Sequence, residues 1–424
     1  MPLRLSPRSL MIVPLALALI VVLAGQGRHE TPVPGGDRGA LWVPVLSGLF
    51  DPDETTVSEC GTLPEDRRIR CYTQAFGNIA YHEGGISAIH QLMAQASLGE
   101  GGIADCHVIA HMIGVAAYHG LGGDFARGLA EGSSECESGY YHGLVAAEIA
   151  SRPVASPEEL GSRTALACRK YSQGLVLDEC YHGIGHAAEH IYDYETPTAL
   201  RACVSMNQVI VEAGDAEDAR LTALHSCTQG VFMENFQAGG GPDHRWTRAN
   251  DPIYPCEEFP EELGASCWDM VSWKVQMEPG DTLERFTARR WSVCARASLQ
   301  SWRMICNDHT TRGVLAIFPN FSIRPEDQTT PDLIARLCSK DPAGTATCFR
   351  SIALQAVLTY SDVALSATLC SRAESDDLLR SCGAGIGTAL HLSRLEIEQC
   401  DKLRASAMID ACRATLLAFY ASEE

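Results

Sequence analysis

The sequence has no Cys-x-x-Cys pair, although it holds 18 cysteines in 424 residues. That excludes structural zinc held on closely spaced thiolates. HExxH, P-loop, GxSxG and kinase signatures are also missing, which removes the commonest hydrolase and phosphotransfer readings. Basic residues are few: 33 Lys and Arg stand against 53 Asp and Glu, a formal charge of −20 spread along the chain. Such a balance disfavours nucleic-acid backbones and anionic membrane surfaces as partners. Strand-like alternation is scarce, so the chain is expected to be mostly helical.

Only one strongly apolar run comes near spanning length, Leu10 to Ala24, behind Arg4 and Arg8. It falls short of the roughly 20 residues that cross a bilayer. Residues 1–25 therefore read as an export signal, either removed after Val22-Leu23-Ala24 or kept as an anchor at the outer face of a membrane. Residues 26–55, rich in Gly, Pro and charge, read as a flexible leader. With an even number of cysteines, this predicts an exported, secreted chain in the periplasm or outside the cell, touching a membrane only through its N-terminal segment.

Read two at a time, seven of the nine cysteine pairs are separated by 10 to 12 residues. They are Cys60 and Cys71, Cys168 and Cys180, Cys256 and Cys267, Cys294 and Cys306, Cys338 and Cys348, Cys370 and Cys382, and Cys400 and Cys412. The exceptions are Cys106 with Cys136 and Cys203 with Cys227. On one continuous helix the closely spaced cysteines would lie about 16–18 Å apart, whereas a disulfide needs Cα atoms within about 7 Å. The chain must reverse between them, as the turn-forming SKDPAGTAT insert between Cys338 and Cys348 suggests. The pattern is helix, short connection, helix, with a bridge stapling the hairpin. The structural bridges are assigned to the first six of these pairs. CDKLRASAMIDAC could instead run on as helix, which leaves the pairing of Cys400 and Cys412 open.

Aligned on the second cysteine, the segments repeat: CESGYYHGLVAAE at 136, CYHGIGHAAEH at 180, CTQGVFMENF at 227, CGAGIGTALHL at 382. Gly139, Gly183, Gly230 and Gly385 each stand three positions after their cysteine, where a neighbouring helix backbone is expected to cross closely. Repetition of this kind predicts an all-α array of disulfide-stapled helical hairpins, α-solenoid or toroid-like. Residues 56–237 form its His-rich region and 256–424 its His-poor continuation, with a Gly/Pro-rich interruption at 238–255. Ser156-Pro157-Glu158-Glu159 reads as a helix start.

The histidines carry the functional signal. His107 and His111, His182 and His186, and His186 and His190 each stand one helical turn apart. His142 and His186 both follow a cysteine by six residues, and the matching place in the next unit is Met233, followed by Glu234. With His225, these form the candidate ligand set: His107, His111, His142, His182, His186, His190 and His225. Imidazole with carboxylate suits a transition metal such as zinc, iron, copper or manganese. Glu148, Glu189 and Glu234 are the candidate catalytic carboxylates. A structural role for the repeated Tyr-His-Gly competes with this reading, but such a role should persist along the whole array. In the second half the equivalent places include Trp273 and Thr388. A thiol mechanism at Cys106-His107 would need a free thiolate, which the even cysteine count disfavours. Trp268, Trp273, Trp291 and Trp302 read as core, with a sugar- or peptide-stacking surface as the alternative.

The leading reading is a metal-dependent enzyme that hydrolyses or oxidises a small molecule or peptide. The alternative is a noncatalytic scaffold that binds a protein, peptide or metal ion.

Overall fold

A computed structural model describes residues 56–96, 106–136, 138–152, 154–214, 217–237, 245–248, 250–360, 362–393 and 395–423. All regular structure among them is helical. The first helices are α1 (Val57–Cys60), α2 (Glu65–Glu83), α3 (Gly85–Ala96), α4 (Cys106–Gly120), α5 (Phe125–Ala130) and α6 (Gly139–Ser151). Next come α7 (Pro157–Tyr171), α8 (Leu175–Ile191), α9 (Thr196–Glu212), α10 (Glu217–Gln237), α11 (Glu261–Met270) and α12 (Leu283–Cys294). The last are α13 (Gln300–Arg312), α14 (Thr330–Cys338), α15 (Thr345–Tyr360), α16 (Val363–Leu369), α17 (Asp376–Leu392) and α18 (Ser406–Glu423). Short 3-10 turns precede α11 and α18.

Local sequence sets the helix ends. Ser156 caps α7 by accepting from the Glu159 amide at 3.2 Å, with Pro157 in the first turn. Glu158 and Glu159 lie at its start and Arg169 and Lys170 at its end, the arrangement that the helix dipole favours. Ser375, followed by Asp376 and Asp377, starts α17 in the same way.

All 18 cysteines pair consecutively, with Cα atoms 5.2–6.4 Å apart. Cys60 is joined to Cys71, Cys168 to Cys180, Cys256 to Cys267 and Cys294 to Cys306. Further along, Cys338 is joined to Cys348, Cys370 to Cys382 and Cys400 to Cys412. The two wider pairs, Cys106 with Cys136 and Cys203 with Cys227, are bridged as well.

The bridges do not all join two full helices. Cys168 sits in the last turn of α7 and Cys180 inside α8, so that bridge staples one helix to the next. Cys71 in α2 is held instead to the four-residue helix α1, and Cys267 in α11 to the 3-10 turn before it. Cys382 in α17 is held to Cys370, which stands just past the end of α16. Pro64 and Pro260 lie directly before α2 and α11, where proline opens the helix. Closing a 12-residue loop such as that of Cys168 and Cys180 contributes about 3 kcal/mol on the chain-entropy account. Cys400 lies in the 3-10 turn before α18, so the helix does not run through from Cys400 to Cys412.

Helices that carry or, in the case of α6, closely follow the second cysteine of a pair pack in succession, with α4 inserted near the start: α2, α4, α6, α8, α10, α11, α13, α15, α17, α18. Glycine permits the closest of these approaches. A Cβ on Gly143 of α6 would lie 1.8 Å from the His111 carbonyl oxygen of α4, and one on Gly230 of α10 would lie 2.1 Å from the His182 carbonyl of α8. The repeat glycines Gly139 and Gly385 meet neighbouring backbone in the same manner, at 2.5 and 2.2 Å. Buried apolar side chains gather in two clusters, one spanning Cys60 to Cys306 and the other Leu283 to Leu416. Trp268, Trp291 and Trp302 are buried in them, and Trp273 packs partly buried against the first.

The expected export segment (1–25) and leader (26–55) lie outside the described residues. Among the described residues no helix is long and apolar enough to cross a membrane. The longest, α10, is broken by Glu217, Asp218, Arg220 and Glu234. This corrects the expectation of a secreted, periplasmic or extracellular chain held at a membrane face: no described helix supplies the anchor, and the run that suggested export is not among the described residues.

Candidate metal centre

Close contact between α4 and α6, and between α8 and α10, brings helix faces together that a bulkier residue would hold apart. His107 and His111 project from α4, His142 from α6, and His182 and His186 from α8, and all five are buried. They form two overlapping triads of possible ligand atoms, His107/His111/His142 and His142/His182/His186, each within 4.8 Å. Nε2 of His111 lies 2.9 Å from Nε2 of His107 and 3.2 Å from Nδ1 of His142. Nε2 of His182 lies 3.1 Å from Nε2 of His186. Nitrogens about 2.0–2.1 Å from a tetrahedral ion stand about 3.3 Å from one another, so these separations match the edges of a coordination tetrahedron.

Outer partners orient three of the rings. Nδ1 of His107 is 3.0 Å from the Cys136 carbonyl, an acceptor only, so Nδ1 donates and the Nε2 lone pair faces the cluster. Nδ1 of His186 is 2.9 Å from Glu234 Oε2, which leaves its Nε2 facing His182. Nε2 of His142 is 2.8 Å from Glu179 Oε2, which leaves its Nδ1 facing His111. Tyr194 donates its hydroxyl to Glu234 Oε1 at 3.3 Å.

Burial, reinforced by the neighbouring imidazoles, holds His111, His142 and His182 well below the usual histidine range. Burial, then His107, lowers His186 to about 3. These four rings are therefore neutral, the form that binds a metal. Burial pushes Glu179 up and Glu234 up to about 7. Glu179 still exposes 21% of its side chain, against 3% for Glu234, and is the carboxylate of the cluster that meets solvent. Beside it, Tyr141 is pushed up to about 12 by burial and by Glu179. Tyr141 also lines a cavity of about 410 Å³ with Ser134, Gln173, Val176, Leu392 and Lys402.

Comparisons with protein-family models, curated proteins and solved structures find no match. What the site can do therefore rests on its own residues.

Four expected site residues do not join the cluster. Glu148 accepts from Tyr118 at 2.9 Å and pairs with Arg152 at 3.2 Å. It follows His142 by six residues, which places it about 120° around α6. Glu189 turns to Thr196, which donates to its Oε1 at 2.6 Å, and its Oε2 has no partner. Burial raises Glu189 to about 8. His190, one turn beyond His186, has its ring against Tyr194, with centroids 6.2 Å apart. His225 stands eight residues before the place on α10 equivalent to His142 and His186, hence about 80° away around the helix.

His225 belongs instead to a second polar group that the sequence did not single out. Its Nε2 lies 3.0 Å from Oδ2 of the buried Asp269, and its Nδ1 lies 2.9 Å from the Ser266 hydroxyl. Gln229 donates to the same Asp269 oxygen at 2.7 Å. His309 Nδ1 is 3.0 Å from Oδ1, outside hydrogen-bond geometry, and its Nε2 accepts from Trp273 at 2.6 Å. Burial acts to raise Asp269, but His309 and His225 outweigh it and hold the carboxyl well below its ordinary value. A carboxyl lowered on folding adds stability above its unfolded value and loses it as acid carries it through the folded one. Asp269→Asn should cost about 2–3 kcal/mol near neutrality, read from denaturant midpoints. The gap to the parent protein should begin to close below about pH 4 and vanish only at the more acid folded value. Equal midpoints at pH 7 would show that the charge contributes nothing.

Proposed function

We propose that the protein is a metal-dependent enzyme whose centre is held by His107, His111, His142, His182 and His186. The single observation that carries this reading is the convergence of five buried imidazoles from three helices, with ring nitrogens at coordination-edge spacing. Protein-derived acceptors on three of the rings support it further, because metal-binding histidines are commonly oriented in this way. A three-histidine set leaves a coordination position for water or substrate. The ion would supply a Lewis acid and a bound water acidified toward neutrality, or a site for dioxygen if it is iron or copper. The reaction is accordingly hydrolysis or oxidation.

The chain's own groups have distinct parts. Glu234, steadied by Tyr194, orients His186, and the Cys136 carbonyl orients His107. Glu179 is the carboxylate placed to exchange a proton with solvent. The cavity beyond Tyr141 is of a size for a small molecule or a side chain of a peptide. In this reading the hairpins stack as a solenoid- or toroid-like array, residues 56–237 carry the chemistry and residues 256–424 extend the array. The succession of helix packing supports that view.

The test is elemental analysis of the full chain purified without a polyhistidine tag. One or more equivalents of zinc, iron or copper are expected. Folded protein that neither retains nor takes up any of them would overturn the reading and leave a noncatalytic binding scaffold.

A further inference from the structure

Five imidazoles are more than a single tetrahedral ion accepts, and they do not surround one point evenly. They divide into two triads that share His142. Its ring reaches both ways. Nδ1 is 3.2 Å from His111 Nε2, on the side of the His107/His111 pair. Nε2 points away from that pair toward Glu179. His182 and His186 lie on a different helix from His107 and His111, and both stack on the His142 ring, with centroids 4.6 and 4.9 Å away. Each one-turn pair, His107/His111 and His182/His186, already presents two nitrogens at 2.9 and 3.1 Å, so each lacks a third donor. His142 is the residue placed to supply it to both.

We propose that the centre holds two transition-metal ions bridged by the His142 ring: one on His107, His111 and His142, the other on His142, His182 and His186. Binding the second ion through Nε2 displaces one proton from that nitrogen to solvent or to Glu179, whose Oε2 lies 2.8 Å away. Charge also favours two ions. Two divalent cations would face the carboxylates of Glu179 and Glu234, adding opposite charge beside groups that neutral imidazoles meet only through single hydrogen bonds. The inference rests on the metal-centre reading, and stoichiometry separates the two.

The full chain is freed of metal, titrated with Zn(II), and its bound zinc measured after gel filtration. Two equivalents are expected. His107→Ala and His182→Ala should each retain about one, and His142→Ala should lower both affinities by at least tenfold. Saturation at one equivalent, lost equally in His107→Ala and His182→Ala, would overturn the two-ion proposal while leaving a metal centre. No binding at all would overturn both. Should the variants fail to fold, the parent protein loaded with Cu(II) decides the bridge. Two copper ions joined through one imidazole couple their spins and weaken the isolated-copper resonance, whereas a full-intensity uncoupled spectrum at two equivalents would exclude the bridge.

Discussion

His111→Ala protein should lose the ion of the first triad while keeping its helix content. His111 is the middle member of the first triad: its Nε2 touches both His107 and His142, and its ring lies 5.2 Å from that of His186. Removing it takes away a donor and also opens the space that keeps the other rings in place. Changing an outer partner of a metal ligand typically weakens binding by about 10–100-fold. Glu234→Gln, which alters only the group that orients His186, should fall in that range. Loss of a direct ligand should exceed it, so that after dialysis mass spectrometry finds at most the ion held by His142, His182 and His186. The fold should survive, because the core contains many apolar side chains outside the cluster and all nine bridges remain. Far-ultraviolet circular dichroism checks that point. His111→Ala protein with its full metal content would remove His111 from the centre.

Gly143→Ala should be among the most destabilising single-methyl changes available in this chain. The added carbon would stand 1.8 Å from the His111 carbonyl oxygen and 2.6 Å from its carbonyl carbon. These are backbone atoms of a helix and cannot rotate aside as a side-chain tip would. Helices α4 and α6 would have to separate by more than an ångström, which breaks their packing and the spacing of His107, His111 and His142 together. Overpacking usually costs about 1–3 kcal/mol, and a backbone clash of this depth belongs at or above the upper end. Gly61→Ala is the matching control. Its backbone is already right-handed helical at φ −61°, and its added carbon would meet Tyr72 Oη at an ordinary 3.4 Å. Thermal and denaturant midpoints should drop sharply for the first variant and hardly move for the second. Equal midpoints for Gly143→Ala and the parent protein would mean that the helices are not in such close contact.

The staples and the helix pairing were legible in the sequence because each rests on a short-range rule. Cysteines 10 to 12 apart cannot meet without a chain reversal, and a glycine at a fixed distance from several of the cysteines marks the crossing point. What the spacing did not reveal is how little helix precedes some bridges. Cys71 and Cys267 are tied to a single short turn. His107, His111, His182 and His186 were legible because one-turn spacing puts each pair on one helix face. Glu179 was not, since carboxylates are abundant in this chain and its value comes from His142 on another helix. Its one local sign is its place three residues before His182, on the same face of α8. His225 was misplaced because it stands two residues before its cysteine, Cys227, whereas His142 and His186 stand six after theirs, so it faces another side of its helix. The Asp269 group escaped notice because its members come from α10, α11, the turn that follows and α13, with no common spacing.

The link between Cys106 and Cys136 has a consequence for binding rather than for stability alone. His107 directly follows one of these cysteines, and the carbonyl that orients its ring belongs to the other. That carbonyl is turned by a left-handed backbone at Cys136 and Ser138, φ 55° and 61°, conformations uncommon for residues other than glycine. Ligand and orienting group are thus tied covalently, and the ring is aimed once the chain has folded and cross-linked. Immobilising a side chain costs about 0.5–1.5 kcal/mol when it happens on association. Here that ordering is complete before an ion arrives, so the first triad is preorganised and the arriving ion does not have to arrange its own ligand.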